Sequence, residues 1–265
     1  MKKALRIFWL ALVLAFIYIP VLVLAVYSFT DATIVGAGIG GFSFENYINL
    51  FANEELRSMI FGTVALALIC ACISTVLATF GAIGSFYSKK VTKALLNTAN
   101  QVPVVNADIV TGFSICILLI VILRMNKDSF IPLGIGHVVL TAPFVYLSIL
   151  PKLKQMDNSL YEAALDLGAT PAQALFKVVI PQLIPGILSG FMLAVTLSLD
   201  DYFITTYTKP SSFDTISTYV VNATRGSQTE IKTALWALST LIFVIVVAVV
   251  VVMNVLSVKK KGENK

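Results

Sequence analysis

The fold is decided by SLYEAALDLGATPAQALFKVVIP, residues 159–181, which lies between two long apolar runs. Ser159 and Glu162 fit a capping box, in which the hydroxyl accepts from a first-turn N–H and the glutamate reaches back to the cap. Leucines and alanines then recur at spacings of three and four residues, which places them on one helix face. Gly168 stands where a left-handed C-terminal cap is expected. The pattern therefore predicts a short helix that ends at this glycine.

A second short helix is predicted directly after the first. Thr170 is its expected N-cap, a proline follows at the first helical position, and Gln173 closes another capping box. Pro181 and Pro185 are expected to end this helix, because proline has no N–H and its ring clashes with the preceding turn. We interpret the whole stretch as a folded element between two membrane spans.

The apolar face of the first helix is made largely of alanine, including Ala163 and Ala164. Small side chains let a helix approach another surface closely. A solvent-exposed loop has no need of such a face, whereas a docking element does. Residues 159–181 are therefore predicted to bind a partner protein.

These residues resemble a known motif, the EAA loop of binding-protein-dependent ABC importers. The resemblance rests on the triplet EAA at 162–164, the glycine at 168 and the run VVIP at 178–181, in the family's order and spacing. It implies that the segment is the coupling helix of a permease and docks on a cytoplasmic ABC ATPase dimer. The residues that it assigns to this contact are Glu162, Ala163, Ala164, Gly168 and Pro181.

Composition indicates a membrane protein independently of the motif. Apolar residues make up 58% of the chain, charged residues only 12%, and the mean hydropathy is +0.90. Soluble domains are near 45–50% apolar and 25% charged. The composition predicts one transmembrane domain over residues 1–265. The net charge of +5 does not indicate a nucleic-acid partner, because the basic residues lie at the ends of the apolar runs.

Six apolar runs are long enough to cross about 30 Å of hydrocarbon. They cover about 7–29, 59–86, 103–123, 133–150, 183–207 and 233–257, and the coupling loop is expected at 151–182. With the N-terminus inside, thirteen Lys and Arg residues fall on the cytoplasmic side and six on the other. The excess predicts cytoplasmic termini and a cytoplasmic coupling loop. We expect a multi-pass protein of the bacterial inner membrane.

Acidic residues within or beside the spans are candidates for a transport path, because a carboxylate in the bilayer is costly and usually has a function. Asp108 begins the third run, where it could instead complement the positive end of a helix. Glu230 lies at the mouth of the last span, where it could attract cations or simply be solvated.

The fifth run carries the longest polar stripe of the chain. Ser198, Asp201, Thr205 and Thr208 follow one another at helical spacing, and Asp200 projects about 100° away from Asp201. Such a stripe suits the wall of a water-filled path, with Asp201 as the most important acid. The alternative is a helix break or hydrogen bonding between helices.

Other motifs in the chain do not indicate chemistry. His137 is the sole histidine, so a hydrogen-bonded structural role is predicted for it rather than a metal site. The three cysteines fall inside spans and are expected to be free, small, buried side chains. Gly186 and Gly190 form a small-xxx-small pair that predicts close helix packing. No P-loop sequence occurs, and no cofactor is expected.

The acidic segments resemble those of the PotC-type permease subunits of spermidine/putrescine importers. The resemblance rests on LSLDDYFIT at 197–205 and NADIV at 106–110, and it extends over most of the chain. It implies an all-α bundle with the type I ABC importer permease fold and no enzymatic activity of its own. It also implies a second related permease, a separate ATPase, an extracytoplasmic binding protein and a polyamine substrate.

Two other classes of protein and several other cargoes are alternatives to this interpretation. An ion-coupled secondary transporter would not explain the segment 159–181. A membrane-embedded enzyme would need convergent acid, base or metal groups, and the scattered acids do not supply them. Within the importer class, thiamine, another organic cation or an iron complex is the alternative cargo.

Overall fold

A computed structural model describes residues 2–32, 40–157, 159–225, 233–244 and 247, and these contain helices and no β-strand. The helices are α1 Lys2–Ser28, α2 Glu45–Ala52, α3 Glu54–Tyr87, α4 Lys90–Val105, α5 Asp108–Cys116, α6 Phe130–Gln155, α7 Ser159–Asp166, α8 Pro171–Ala174, α9 Ile180–Asp200, α10 Phe203–Thr208, α11 Ile216–Arg225 and α12 Thr233–Val244. Two π-helical segments, Ile117–Ile122 and Leu175–Val179, extend α5 and α8. The chain divides into two compact units, 1–58 with 220–265, and 59–219.

The first unit contains α1, a long apolar helix in which residues 5–20 are all exposed. At its C-terminal end Phe29 stacks on Phe42 with ring centroids 6.1 Å apart, and Tyr47 packs at 5.0 Å from Phe29. The Asn46 amide donates to the carbonyls of Ser28 and Thr30, which ties α2 to the end of α1.

The second unit is organised around α6 and α9, which pack antiparallel. A Cβ added at Gly190 would lie 3.1 Å from Val145 Cα, and one added at Gly186 would lie 3.2 Å from the Ser148 carbonyl oxygen. Closer to the end of α9, Ser198 meets His137. The predicted small-residue contact of Gly186 and Gly190 is confirmed, because only glycine lets the two backbones approach this far.

Helix α3 completes the core of this unit. Its small residues Ala71, Ala78 and Ala82 are buried against the apolar face shared by α6 and α9. Polar side chains also join α3 to α6, since Ser74 Oγ lies 2.6 Å from Thr141 Oγ1. Cys70 is buried and Cys72 is exposed, and all three cysteines are free. The predicted buried placement is confirmed for Cys70 alone, because Cys72 is exposed and Cys116 is half-buried.

Four described helices are long and apolar enough to cross a membrane, and they correspond to the first, second, fourth and fifth predicted spans, with one change in the fifth. At the third predicted span, α4 and α5 with its π-helical extension meet at 106° instead of forming one straight helix, which is the geometry of a broken span or of a re-entrant loop. The fifth breaks at Asp201. The predicted sixth span is described only over 233–244 and at residue 247.

The boundaries of the coupling loop differ from the prediction of 151–182. Helix α6 continues to Gln155, and a continuous helical stretch already begins at Pro171. Pro181 and Pro185 do not end this stretch, so that prediction is wrong. The π-helical segment Leu175–Val179 places Pro181 in the first turn of α9, where its missing N–H is not needed. The connection that remains, residues 156–170, holds α7 and its two ends.

Candidate coupling surface and buried polar cluster

The C-terminal end of α7 has the predicted glycine cap. Gly168 has φ +87°, in the left-handed region that favours glycine. Its N–H donates to the Leu165 carbonyl at 2.9 Å, and the Ala169 N–H donates to the Ala164 carbonyl at 3.0 Å. These two bonds form a Schellman motif, which satisfies carbonyls that the helix end leaves open.

The N-terminal end of α7 differs from the prediction. Ser159 is the first residue of the helix rather than the cap before it, and the Asp157 carboxylate accepts from the Ser159 N–H at 3.0 Å. An aspartate accepts from a helix N-terminus at least as well as a serine, which explains the exchange of roles. The pKa of Asp157 lies below its ordinary value of 3.8 because this backbone bond favours the ionised form.

The second predicted cap is confirmed. Thr170 Oγ1 accepts from the Gln173 N–H at 3.3 Å, and Gln173 Oε1 accepts from the Thr170 N–H at 3.0 Å. Pro171 occupies the first helical position. Both ends of the short connection are therefore fixed by local bonds that need no partner protein.

The outer face of α7 is exposed and partly apolar. Glu162 and Ala163 are exposed, Ala164 is half-buried, and Leu167 is 89% exposed. Pro181 is exposed on the adjoining helix. We define the coupling surface as Glu162, Ala163, Ala164, Leu167 and Gly168. A rigid, small-residue helix with an exposed leucine at its end can bind in a groove of another protein.

Three of the acids predicted for a path lie at the two helix breaks of the second unit. Asp108 is the first residue of α5, directly after the bend, and its side chain is exposed. Asp200 ends α9 and is exposed, whereas Asp201 adopts an extended conformation and is 8% exposed. The two adjacent aspartates therefore face different environments.

The Asp201 carboxylate belongs to a buried polar cluster, which we define as His137, Ser198, Asp201 and Thr205. Oδ1 of Asp201 accepts from the Ile204 N–H at 3.3 Å, and Oδ2 accepts from the Thr205 N–H at 2.7 Å and the Thr205 hydroxyl at 2.8 Å. The carboxylate thereby satisfies the first turn of α10.

His137 lies at the centre of this cluster and is fully buried. Its Nδ1 lies 2.7 Å from Ser198 Oγ, and its Nε2 lies 3.0 Å from Thr205 Oγ1 and 3.9 Å from Asp201 Oδ2. The predicted hydrogen-bonded structural role of His137 is confirmed. The sequence does not predict the hydrogen-bond partners of His137, because nothing in it indicates that α6 faces the break in the fifth span.

The predicted path residues thus fall into two groups. Asp108 and Asp200 are exposed, whereas Ser198, Asp201 and Thr205 are buried and hydrogen-bonded to one another or to His137. The alternative of a helix break with bonds between helices accounts for the polar stripe in this structure. Glu230 lies outside the described residues. A role in transport stays a prediction for all six.

The exposed coupling surface, the apolar spans and the broken helices define a class, the membrane subunit of a transporter. Residues 75–262 match the family described as binding-protein-dependent transport system inner membrane component. Because the match covers more than half of the chain, the protein belongs to this family. It is a multi-pass, non-catalytic permease subunit of an ABC importer, and the family implies a partner permease, a separate ATPase and a binding protein.

Curated relatives match over most of their length. The putrescine transport system permease protein PotI of Escherichia coli K12 is 31% identical over 89% of this chain and 85% of its own. The spermidine/putrescine transport system permease protein PotC is 28% identical in Haemophilus influenzae, over 96% of this chain and 97% of its own. PotC of Escherichia coli K12 is 25% identical over 99% and 97%.

Solved structures confirm the predicted all-α permease fold. A bacterial ABC transporter for the acidic polysaccharide alginate aligns with a TM-score of 0.68 and 15% identity, over 94% of this chain and 95% of that one. An amino acid ABC transporter aligns with a TM-score of 0.51 and 21% identity, over 77% and 94%. At these identities the likeness concerns the fold alone.

Proposed function

We propose that this chain forms half of the translocation path of an ATP-driven importer for polyamines such as putrescine and spermidine. The observation that carries the choice of cargo is the similarity over most of the chain to PotI and PotC, whose names state these cargoes. The remaining half of the path would come from a second, related permease subunit. The location would be the bacterial inner membrane, with both termini in the cytoplasm.

The charges at the helix breaks support a cationic cargo. Asp108 and Asp200 are exposed at the two places where the backbone of a span leaves the helix. An ammonium group that leaves water requires a counter-charge, because an unpaired buried charge is costly. Transporters commonly form their cargo sites at broken helices. We therefore propose Asp200 and Asp108 as the acids that meet the cargo.

The buried members of the cluster would act from behind this path. Ser198 and Thr205 bind His137, and Asp201 caps α10. Their contribution would be the shape of the break that presents Asp200. Sequence alone favoured Asp201 as the most important acid, and its burial leads us to propose Asp200 instead.

The coupling surface would transmit the free energy of ATP binding and hydrolysis to the membrane spans. Closure of the ATPase dimer would carry α7 with it and reorient the spans, so that cargo delivered by the binding protein enters an outward-facing cavity. Pro181 adjoins this surface at the start of α9. The exposed position of Glu162 and Ala163 supports docking at this place.

The test is uptake of labelled putrescine and spermidine into vesicles that contain the assembled complex and its binding protein. Uptake should require ATP hydrolysis and persist when an ionophore dissipates the proton gradient. Asp200→Asn should raise the KM for both polyamines, and Asp128→Asn, an exposed acid outside the breaks, should not. Gradient-driven uptake, or no polyamine uptake by the wild type, would overturn the proposal.

A further inference from the structure

We propose that His137 is a positioning residue, which fastens α10 to the α6–α9 pair through a chain of hydrogen bonds that runs from Ser198 to Asp201. The proposal rests on the proposed function only where its test measures transport. The direction of the hydrogen bonds and the link that they make between α6 and α10 do not depend on the cargo.

The direction of the chain follows from counting protons. Both oxygens of Asp201 accept from backbone N–H groups, so Asp201 is the acceptor in this cluster and the one hydroxyl proton of Thr205 points to Asp201 Oδ2. Thr205 Oγ1 is then an acceptor, and His137 Nε2 must carry the proton that it donates to Thr205. In a neutral ring the other nitrogen, Nδ1, is unprotonated and accepts from the Ser198 hydroxyl.

A charged ring fits this site poorly. His137 and the Asp201 side chain are almost completely buried, and their nearest charged atoms are 3.9 Å apart, with Thr205 bonded to both. A charge-assisted bond between them would be near 2.8 Å. The geometry therefore assigns a neutral imidazole with its proton on Nε2.

The chain of bonds spans the break in the fifth membrane segment. At Asp201 the backbone turns extended, with ψ 125°, so helical hydrogen bonding does not continue from α9 into α10. His137 binds Ser198 before this point and Thr205 after it. Ile204 adds an apolar contact, since a Cβ added at Gly136 would lie 2.6 Å from Ile204 Cγ2. One side chain of α6 thus holds both sides of the break.

The other end of the same helix pair carries the coupling surface. From His137 to its end at Gln155, helix α6 extends over 18 residues, about 27 Å, and α7 begins four residues later at Ser159. Between these ends Gly186 and Gly190 keep α9 against α6, so the pair can move as one body. Movement of the coupling surface would then reach the break, and Asp200 within it, through His137.

The first test determines the protonated nitrogen. His137 is the sole histidine, so uniform labelling of the full chain with 15N-histidine gives a single imidazole in nuclear magnetic resonance spectra of the protein in lipid vesicles. We expect a neutral ring protonated at Nε2. Ser198→Ala should shift the Nδ1 resonance, because it removes the bond donated to that nitrogen, and should leave Nε2 protonated.

A matched control is available one turn along α10. The Thr208 hydroxyl is buried and donates to the Ile204 carbonyl of its own helix. Thr208→Val should therefore leave both imidazole resonances in place. A wild-type ring protonated at Nδ1 or at both nitrogens would overturn the proposed chain of bonds. An Nδ1 resonance that does not shift in the Ser198→Ala variant would also overturn it.

The second test measures transport by the assembled complex. Thr205→Val removes the link between His137 and Asp201 at constant volume and should lower uptake per ATP hydrolysed by about fivefold, at unchanged KM. Thr205→Ser keeps the hydroxyl and should restore the wild-type ratio, and Thr208→Val should match the wild type. If Thr205→Val does not assemble, Ser198→Ala takes its place, with a decrease in the same direction.

An unchanged ratio in an assembled Thr205→Val complex would overturn the positioning role. A raised KM at an unchanged ratio would also overturn it, because that result indicates direct contact with cargo. If the wild type imports no polyamine, the proposed function fails, and the ring protonation still decides the hydrogen-bond chain independently of cargo.

Discussion

The two ends of the α6–α9 pair carry opposite kinds of surface. At one end α7 contains no buried residue, and both of its ends are capped by residues next to it in the chain. At the other end His137, Ser198 and Thr205 are almost completely buried and hydrogen-bond to one another. One end leaves small and polar side chains exposed, and the other end binds its polar groups inside the fold.

This difference predicts whether a substitution affects docking or the stability of the fold. A larger side chain at an exposed position of α7, such as Ala163, does not enter the packed core, so it should disturb docking and leave stability unchanged. A lost hydrogen bond in the polar cluster leaves a buried group unsatisfied, which costs stability first. The predictions below test this separation.

The largest contrast concerns which side of the membrane each end faces. Single cysteines at Ala172 and Ser212, in a background that lacks Cys70, Cys72 and Cys116, should differ completely toward an impermeant thiol reagent added outside intact cells. Ser212 should react and Ala172 should not, because positive charge places the coupling surface in the cytoplasm. Labelling of Ala172 from outside would reverse the orientation and remove the coupling surface from the ATPase.

Enlarging the coupling surface should nearly abolish transport. Ala163 is exposed on α7, so Ala163→Trp should leave folding intact and block close docking of the ATPase. Uptake and the amount of ATPase that co-purifies should both fall by about tenfold or more, a loss of at least about 1.4 kcal/mol of docking energy. Ala163→Ser, which keeps the small size, is the matched control. Normal uptake by the tryptophan variant would contradict the docking role.

The adjacent aspartates should separate stability from transport. Asp201→Asn weakens three bonds accepted by a buried carboxylate and should lower the free energy of unfolding by about 1–3 kcal/mol. Asp200→Asn alters an exposed side chain and should change it by less than about 0.5 kcal/mol. Thermal unfolding of the purified chain measures both. An equal loss of unfolding free energy in the two variants would contradict the buried position of Asp201 and the exposed position of Asp200.

The smallest effect is expected at the cap of α7. Gly168→Ala meets no atom within 4 Å, so its cost of about 1 kcal/mol comes from φ +87° alone. Gly84→Ala, also in open space and inside a helix, should instead be neutral or slightly stabilising. Hydrogen exchange of the α7 amides should rise only in the first variant. Equal exchange in both would mean that the cap does not hold this helix.

Local signals in the sequence predicted local structure correctly. Gly168 and the Thr170 cap form as expected because each depends on bonds within a few residues. The pair Gly186 and Gly190 predicted close packing because a surface free of side chains has few other uses inside a membrane helix. The six acids and hydroxyls singled out for a path follow from the cost of polar groups in lipid, and their role in transport stays a prediction.

Local patterns predicted the ends and the continuity of the long helices wrongly. Pro181 reads as a helix end, but the π-helical segment before it lets the helix continue. The stripe from Ser198 to Thr208 has the period of one continuous helix, but the backbone breaks at Asp201. A break becomes favourable only when its freed polar groups find partners, and here the Asp201 carboxylate supplies them.

The sequence by itself determined the membrane class and the family, and it predicted the approximate spans and the coupling surface. Apolar length, small-residue spacing and capping chemistry act over a few turns, and they can be read without knowing the neighbouring helices. Only the tertiary structure decided that Asp201 is buried and Asp200 exposed, and that His137 joins the two sides of the break. The packing of α6 against α9 brings together residues 61 and 68 positions apart, and no local pattern records that meeting.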